Sequence, residues 1–215
     1  TFRDCLGLKN IKIDKDNQYF TDIDGVLYNK EATVLIQYPL NRAGAYEISQ
    51  GVTEIMTYAF NNCVALTAIT IPDTVIRIGE SAFMGCSRLS SITLPQNLQD
   101  LETNVFSGCE NLETVNLNNS LTTIGNNAFK DCINLKSIVV PESVTNIGSS
   151  VFSGCSSLNE ITLPFVGRKS DASQSISLFG YIFGSSTYGG SYEAQQFTYY
   201  DPSYLLGSTY YFFYI

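Results

Sequence analysis

The chain has 215 residues, 44% hydrophobic and only 15% charged, which supports one or two packed domains and excludes a disordered polymer. Its net charge is −8, and twelve basic residues lie scattered among twenty acidic ones. Clustered Lys and Arg are what a phosphate backbone or an anionic membrane surface needs, so neither nucleic acid nor an anionic membrane surface is expected as a partner.

In chain order, a first motif holds Phe2, Cys5, Leu8, Ile11 and Ile13. Its spacing returns later, so the chain opens inside a repeat and sequence is expected upstream. Residues 14–47 interrupt the pattern: the interval from Ile13 to its equivalent Ile48 is longer by twelve than the one found elsewhere. The inserted "YFTDIDGVLYNKEATVLIQYP" has alternating apolar positions on both sides of "NKEAT", which predicts a β-hairpin riding on the main body.

From residue 48 to 164 the repeat is regular. Phe60, Phe83, Phe106, Phe129 and Phe152 recur at one constant interval, and Cys63, Cys86, Cys109, Cys132 and Cys155 keep the same one. Leu66, Leu89, Leu112, Leu135 and Leu158 follow in step, and after them branched pairs such as Ile92/Leu94 and Ile138/Val140. Pro follows at 72, 95, 141 and 164, with Asn118 once in its place. A single unit of this length cannot enclose a core, whereas stacked units bury each apolar position against its copy in the next coil. The paired branched residues have period two and predict a short strand with those side chains inward. Stacked coils set such strands side by side as a parallel sheet. The Pro, lacking an N–H, ends each strand. Gly79, Gly125 and Gly148 predict a tight turn into a short helical or 3₁₀ segment that presents Phe and Cys inward.

Residues 165–215 carry no F-x-x-C unit, yet they hold 15 of the 27 aromatic residues. They read as an irregular aromatic insertion or cap packed on the solenoid of residues 1–164. "YYFFYI" at its end reads as a buried strand, since exposure would invite aggregation.

The cysteines recur one per coil, in a row. Zinc needs ligands converging on one point, and a catalytic thiolate needs a base or a positive neighbour. The chain has no His and the neighbours are apolar, so neither a metal site nor a nucleophile is expected. A disulfide is the rival reading, because six Cys is an even number and a secreted protein allows oxidation. Side chains on stacked rungs point in parallel, which strains a disulfide, so a buried row of free thiols is the favoured reading. "DKDNQYFTDIDG" fails as an EF-hand loop, since Tyr19 falls where Gly is needed and Gly25 where Glu is needed; an acidic turn is the simpler reading. The absence of His also rules out a Ser–His–Asp triad within this chain, and there is no phosphate-binding loop.

Two surfaces are candidates for recognition. Residues alternating with the inward pairs face out from the sheet: Asn10 and Lys12, Ala68 and Thr70, Ser91 and Thr93, Thr114 and Asn116, Ser137 and Val139, Glu160 and Thr162. Of this strip, Thr70, Thr93, Asn116 and Thr162 are the candidate contacts, though Thr and Ser are also ordinary soluble strand residues. Tyr188, Tyr192, Tyr199, Tyr200 and Tyr204 form the second candidate, since Tyr offers a rigid apolar face with a polar tip; packing against the solenoid is their plainer reading.

The repeat F-x-x-C-x-x-L-x-x-I-x-I-P closely resembles the leucine-rich repeats of the BspA-like family, surface and secreted proteins of bacteria and some parasitic protists. The resemblance covers residues 2–13 and 48–164. "DGVLYNK…LIQYP" resembles a long repeat of the bacterial members, and "PFVG" and "FGYIFG" resemble an insertion in proteins of Gram-positive gut bacteria that usually returns to ordinary repeats. The resemblance implies a leucine-rich repeat solenoid, a right-handed coil with a parallel β-sheet on one face and short helical, 3₁₀ or extended segments on the other. It implies a cell-surface or secreted monomer without cofactor or catalysis, binding a host or matrix protein or a glycan, as in adhesion. A structural stalk presenting another domain is the alternative, and an accessory module of a glycan-processing enzyme is a third.

Overall fold

A computed structural model describes Phe2, residues 5–164, and residues 182 and 183. The described residues form fourteen short strands: β1 (Phe20–Ile23), β2 (Val26–Asn29), β3 (Val34–Gln37), β4 (Gly44–Glu47), β5 (Glu54–Ile55), β6 (Leu66–Thr70), β7 (Arg77–Ile78), β8 (Ser91–Thr93), β9 (Asp100–Leu101), β10 (Thr114–Asn116), β11 (Thr123–Ile124), β12 (Ser137–Val139), β13 (Asn146–Ile147) and β14 (Glu160–Thr162).

The constant interval of the sequence becomes a stack of coils. On one face β4 and β6, β8 and β10, and β12 and β14 pair in parallel, with Ile92 opposite Val115 and Ile138 opposite Ile161. On a second face the two-residue strands continue the stack, β5 on β7 and β9 on β11 on β13, again in parallel. The structure is thus the expected leucine-rich repeat solenoid.

Between the second face and the next strand, each coil passes through tight turns rather than a helix. Tyr58, Ser81, Asn104, Asn127 and Ser150 are copies of one position, and all have φ between 54° and 62°. A second position, four residues on in each coil, is left-handed as well (Asn62, Gly85, Gly108, Asp131 and Gly154), and such residues forbid a continuous helical run. The backbone here bonds across coils instead, as in Tyr58 N–H to Glu80 O (3.1 Å) and Phe60 N–H to Ala82 O (2.8 Å). The glycines at 79, 125 and 148 do not make this turn, since their φ is not positive. They permit close approach: a Cβ on Gly125 would lie 2.7 Å from the backbone of Glu102 and Thr103, and one on Gly79 or Gly148 would overlap the backbone nitrogen of Thr57 or Asn126.

In the inserted stretch, β1 and β2 form an antiparallel hairpin across Asp24 and Gly25, with φ of 51° and 73°. Two positive φ values are what a two-residue turn between twisted strands requires. β2 then pairs antiparallel with β3 around "NKEAT", and the Asn29 side chain organises that loop by accepting from the N–H groups of Thr33 and Val34. β3 pairs in parallel with β5, so these strands extend the second face in the order β1-β2-β3-β5-β7.

The core is a set of ladders. The Phe rings stack at centroid distances of 4.8, 5.4, 5.6 and 5.8 Å from Phe60 to Phe152, with planes tilted by 17° or less. Tyr38 closes one end, 4.9 Å from Phe60. Phe183 lies 6.1 Å from Phe152 at the other. There Phe152 N–H bonds Ile182 O, the same bond that Phe129 makes to Val151 O and Phe106 to Ala128 O. Ile182 and Phe183 therefore stand where each coil has its Ala-Phe or Val-Phe pair, after an interval longer than the regular repeat. No F-x-x-C unit announced this rung.

All six cysteines are free, and five are buried. Cys5 is the exception to the expected buried row: it is exposed. The other five have a partner that spacing did not disclose. Each thiol in the central coils donates to the carbonyl of the Phe one coil earlier, Cys86 to Phe60, Cys109 to Phe83, Cys132 to Phe106 and Cys155 to Phe129, at 3.1–3.2 Å. Those carbonyls also accept the N–H of the Cys in their own coil, so both lone pairs are used.

Candidate binding surface

The first face is built by the period-two alternation of each strand. Ile92, Val115, Ile138 and Ile161 are buried, and the residues on either side are exposed. Registered pairing within the couples β4/β6, β8/β10 and β12/β14, continued by the constant repeat interval between couples, sets the outward side chains in two lines. One runs through Glu47, Thr70, Thr93, Asn116, Val139 and Thr162; the other through Ala45, Ala68, Ser91, Thr114, Ser137 and Glu160. Thr70, Thr93, Asn116 and Thr162 thus lie in a single exposed row. Asn116 Nδ2 donates to Thr93 Oγ1 at 3.2 Å, so neighbouring rungs are already coupled. Val139 interrupts the row with an apolar side chain that is 64% exposed. Lys136 and Glu113 form an ion pair across the coils at 2.7 Å.

Ala45 and Glu47 belong to this face and were not among the expected positions. The signal was present, since they stand one repeat before Ala68 and Thr70. Asn10 and Lys12 are exposed but lie in no strand. Their segment bonds the hairpin instead, through Ile11 N–H to Gly25 O and Ile13 N–H to Asp22 Oδ1, both 2.8 Å. Tyr188, Tyr192, Tyr199, Tyr200, Tyr204 and the "YYFFYI" strand lie outside the described residues.

The surface offers hydrogen bonds and shape. Its hydroxyls and amides face solvent, while the thiols are buried away from it. Burial pushes Cys63 and Cys155 up to about 12, and holds Cys86, Cys109 and Cys132 well above the ordinary thiol range. A thiol in that state is no nucleophile at neutral pH. Among the described residues no three His, Cys, Asp or Glu side chains gather as a metal site. No helix among them is long and apolar enough to cross a membrane.

At the start of the stack, Tyr28 and Tyr46 share a buried hydroxyl hydrogen bond of 2.6 Å. The Arg42 guanidinium lies 5.8 Å from the Tyr38 ring centroid and 5.5 Å from that of Tyr46, and is held by an ion pair to Asp24. This group seals the Phe ladder beneath the hairpin turn.

Residues 53–171 match, in six copies, the family described as the BspA type leucine rich repeat region. Among solved structures, a leucine rich cell surface protein of Faecalibacterium prausnitzii A2-165 is 36% identical, with a TM-score of 0.70 over 87% of this chain and 48% of that one. A leucine-rich repeat protein of Bacteroides ovatus ATCC 8483 is 32% identical, with a TM-score of 0.56 over 71% of this chain and 42% of its own. The T. pallidum leucine rich repeat protein is 28% identical, with a TM-score of 0.55 over 71% and 81%. The chain spans about half the length of the Faecalibacterium protein, 48%. No curated protein matches it.

Proposed function

This chain belongs to the BspA-type leucine-rich repeat family, and from that premise we propose that it is a non-enzymatic recognition protein of the bacterial cell surface. Its partner is a host or matrix protein or a glycan, engaged in adhesion. The observation that carries this reading is the exposed row of Thr70, Thr93, Asn116 and Thr162, copies of one position on stacked strands that pair in parallel in couples. Such a row presents donors and acceptors at the strand spacing of about 4.8 Å without ordering cost, which favours multivalent contact. The name of the Faecalibacterium protein supports the location. Tyr-rich recognition by Tyr188, Tyr192, Tyr199, Tyr200 and Tyr204 is part of the same proposal.

The test is binding of the full chain to an array of matrix proteins and glycans, beside the double variant Thr93→Lys/Asn116→Lys and a deletion of residues 168–215. A saturable hit weakened at least tenfold by the double variant places recognition on the sheet. A hit lost only on the deletion places it in the aromatic segment. A folded chain that binds nothing would overturn the proposal. It would then favour a second reading, a stalk within a longer protein, for which the unbroken Phe ladder and the greater length of the Faecalibacterium protein speak.

A further inference from the structure

We propose that the flank of the solenoid at its strand-ending prolines is a docking groove for an extended, arginine- or lysine-bearing segment of a partner protein. This rests on the recognition role above and places it on a different face. A groove of about 580 Å³, open to solvent, crosses three coils there and is lined by Gln50, Ile71, Pro72, Asp73, Thr74, Ile76 and Asn97.

Ile76 first marks the groove as more than a by-product of stacking. Its counterparts in neighbouring coils are Thr53, Gln99, Thr122 and Thr145, all polar. The solenoid therefore needs no apolar side chain at this position, yet Ile76 is 62% exposed. It lines the groove together with Pro72 and Ile71, which follow the end of β6, and the three give the groove its apolar part.

The polar walls are fixed before any ligand arrives. Asp73 Oδ1 accepts the Gln96 N–H at 2.9 Å, Asn97 Nδ2 donates to Asp73 O at 3.1 Å, and Thr74 Oγ1 donates to Val52 O at 2.7 Å. The carboxylate keeps a second oxygen for a partner. Preorganised walls reduce the ordering cost of binding.

Charge names the occupant. Residues 5–43 are balanced, with five acidic and five basic side chains, whereas the coils of residues 44–164 hold eleven acidic and four basic. Two of those four, Arg77 and Lys136, are already paired with Glu54 and Glu113. The flank itself, residues 49–53, 72–76, 95–99, 118–122 and 141–145, contains no Lys or Arg and carries Asp73 and Glu142. An Arg or Lys side chain matches this pattern: its methylene stem lies on Ile76 and Pro72 while its head group meets Asp73. A sugar fits less well, since the lining offers no aromatic ring on which to stack.

The experiment is a titration of the isotope-labelled full chain, followed by amide chemical shifts. The probes are a nonapeptide alternating Val and Arg, its Val/Glu counterpart, and chitohexaose. The expected result is saturable shifts at Gln50, residues 71–76 and Asn97 with the arginine peptide alone. Affinity falls at least fivefold in Asp73→Asn and in Ile76→Ser, and is unchanged in Glu110→Gln. An equal loss in Glu110→Gln would reduce the effect to nonspecific charge and overturn the groove. So would shifts confined to Thr70, Thr93, Asn116 and Thr162, which would leave the sheet-face reading standing. Saturation by chitohexaose or the glutamate peptide at this site refutes the assigned chemistry, and a folded chain shifted by no probe refutes the site.

Discussion

At the residue scale, the recurring cysteine is explained by one atom. A small apolar side chain was all the core volume required, but the carbonyl of the Phe one coil earlier has a second lone pair, and the thiol donates to it across the coil boundary. Cys109→Ala removes that donor to Phe83 O and leaves a small void, and is expected to cost ~1–3 kcal/mol in chemical denaturation. Burial has a further consequence with a definite sign. An unfolded thiol ionises near 9.0, whereas folded Cys63 and Cys155 ionise only near 12 and Cys86, Cys109 and Cys132 also stay neutral. Their contribution is fully present below pH 9 and is lost as pH rises toward 12, because the unfolded chain releases protons first. Burial raises Tyr28, Tyr38 and Tyr46 as well, so they add to the same fall above their ordinary value of 10.0. Thermal melts across pH 8–11 are expected to fall steadily, less steeply in Cys109→Ala. At neutral pH an alkylating reagent is expected to modify Cys5 alone in the folded chain and all six thiols in denaturant, and fewer than six in unreduced denatured protein would reinstate the disulfide. Tyr38 supplies a contrast: its buried hydroxyl has no partner among the described residues, whereas that of Tyr28 bonds Tyr46. Tyr38→Phe is expected to be neutral or slightly stabilising, and Tyr28→Phe to destabilise by ~1 kcal/mol.

At the scale of the element, the coil tolerates substitution according to what the previous coil places beside it. Gly148 and Gly108 look equivalent as small residues and are not. A methyl on Gly148 collides with backbone, which cannot rotate away, so Gly148→Ala is expected to cost ~1–3 kcal/mol or more by overpacking. Gly108 has φ 73° but room for a Cβ, its nearest neighbours being Gly85 at 3.7 Å, so Gly108→Ala bears only the left-handed penalty of ~1 kcal/mol. Comparing the two melts separates steric from conformational need. Asn118 shows how a coil departs from its pattern safely. It is buried where others have Pro, and its amide donates to Pro95 O and Leu98 O. Asn118→Leu and Asn118→Pro both remove these donors, though Pro95 O keeps the N–H of Leu98; Asn118→Pro is expected to destabilise less, because it restores the residue that the other coils carry there.

For the whole molecule, each coil touches mainly its neighbours, so stability behaves as a chain of adjacent interfaces. A lesion in the middle divides that chain. Phe106→Ala removes a ring stacked on both sides and is expected to cost ~3–5 kcal/mol, with hydrogen-exchange protection falling first around β9 to β11. The same architecture divides labour between faces. The first sheet presents a hydroxyl and amide row, and the proline flank presents apolar side chains among carboxylates and amides. The stack of coils holds both on one continuous core.

The constant interval in the sequence was sufficient to establish the solenoid, the inward ladders and the outward row of Thr70, Thr93, Asn116 and Thr162, because alternation within a strand decides facing locally. It even contained Ala45 and Glu47, one period earlier. It could not show that Cys109 reaches Phe83 rather than a nearer residue, that Gly125 is small for the sake of Glu102, or that Phe183 follows Phe152 on the ladder. Nor could it show that Ile76, Asp73 and Asn97 share one groove. Periodicity names which residues are copies of one another. The rise and offset between coils decide which atoms of those copies meet, and these quantities exist only once the coils have stacked.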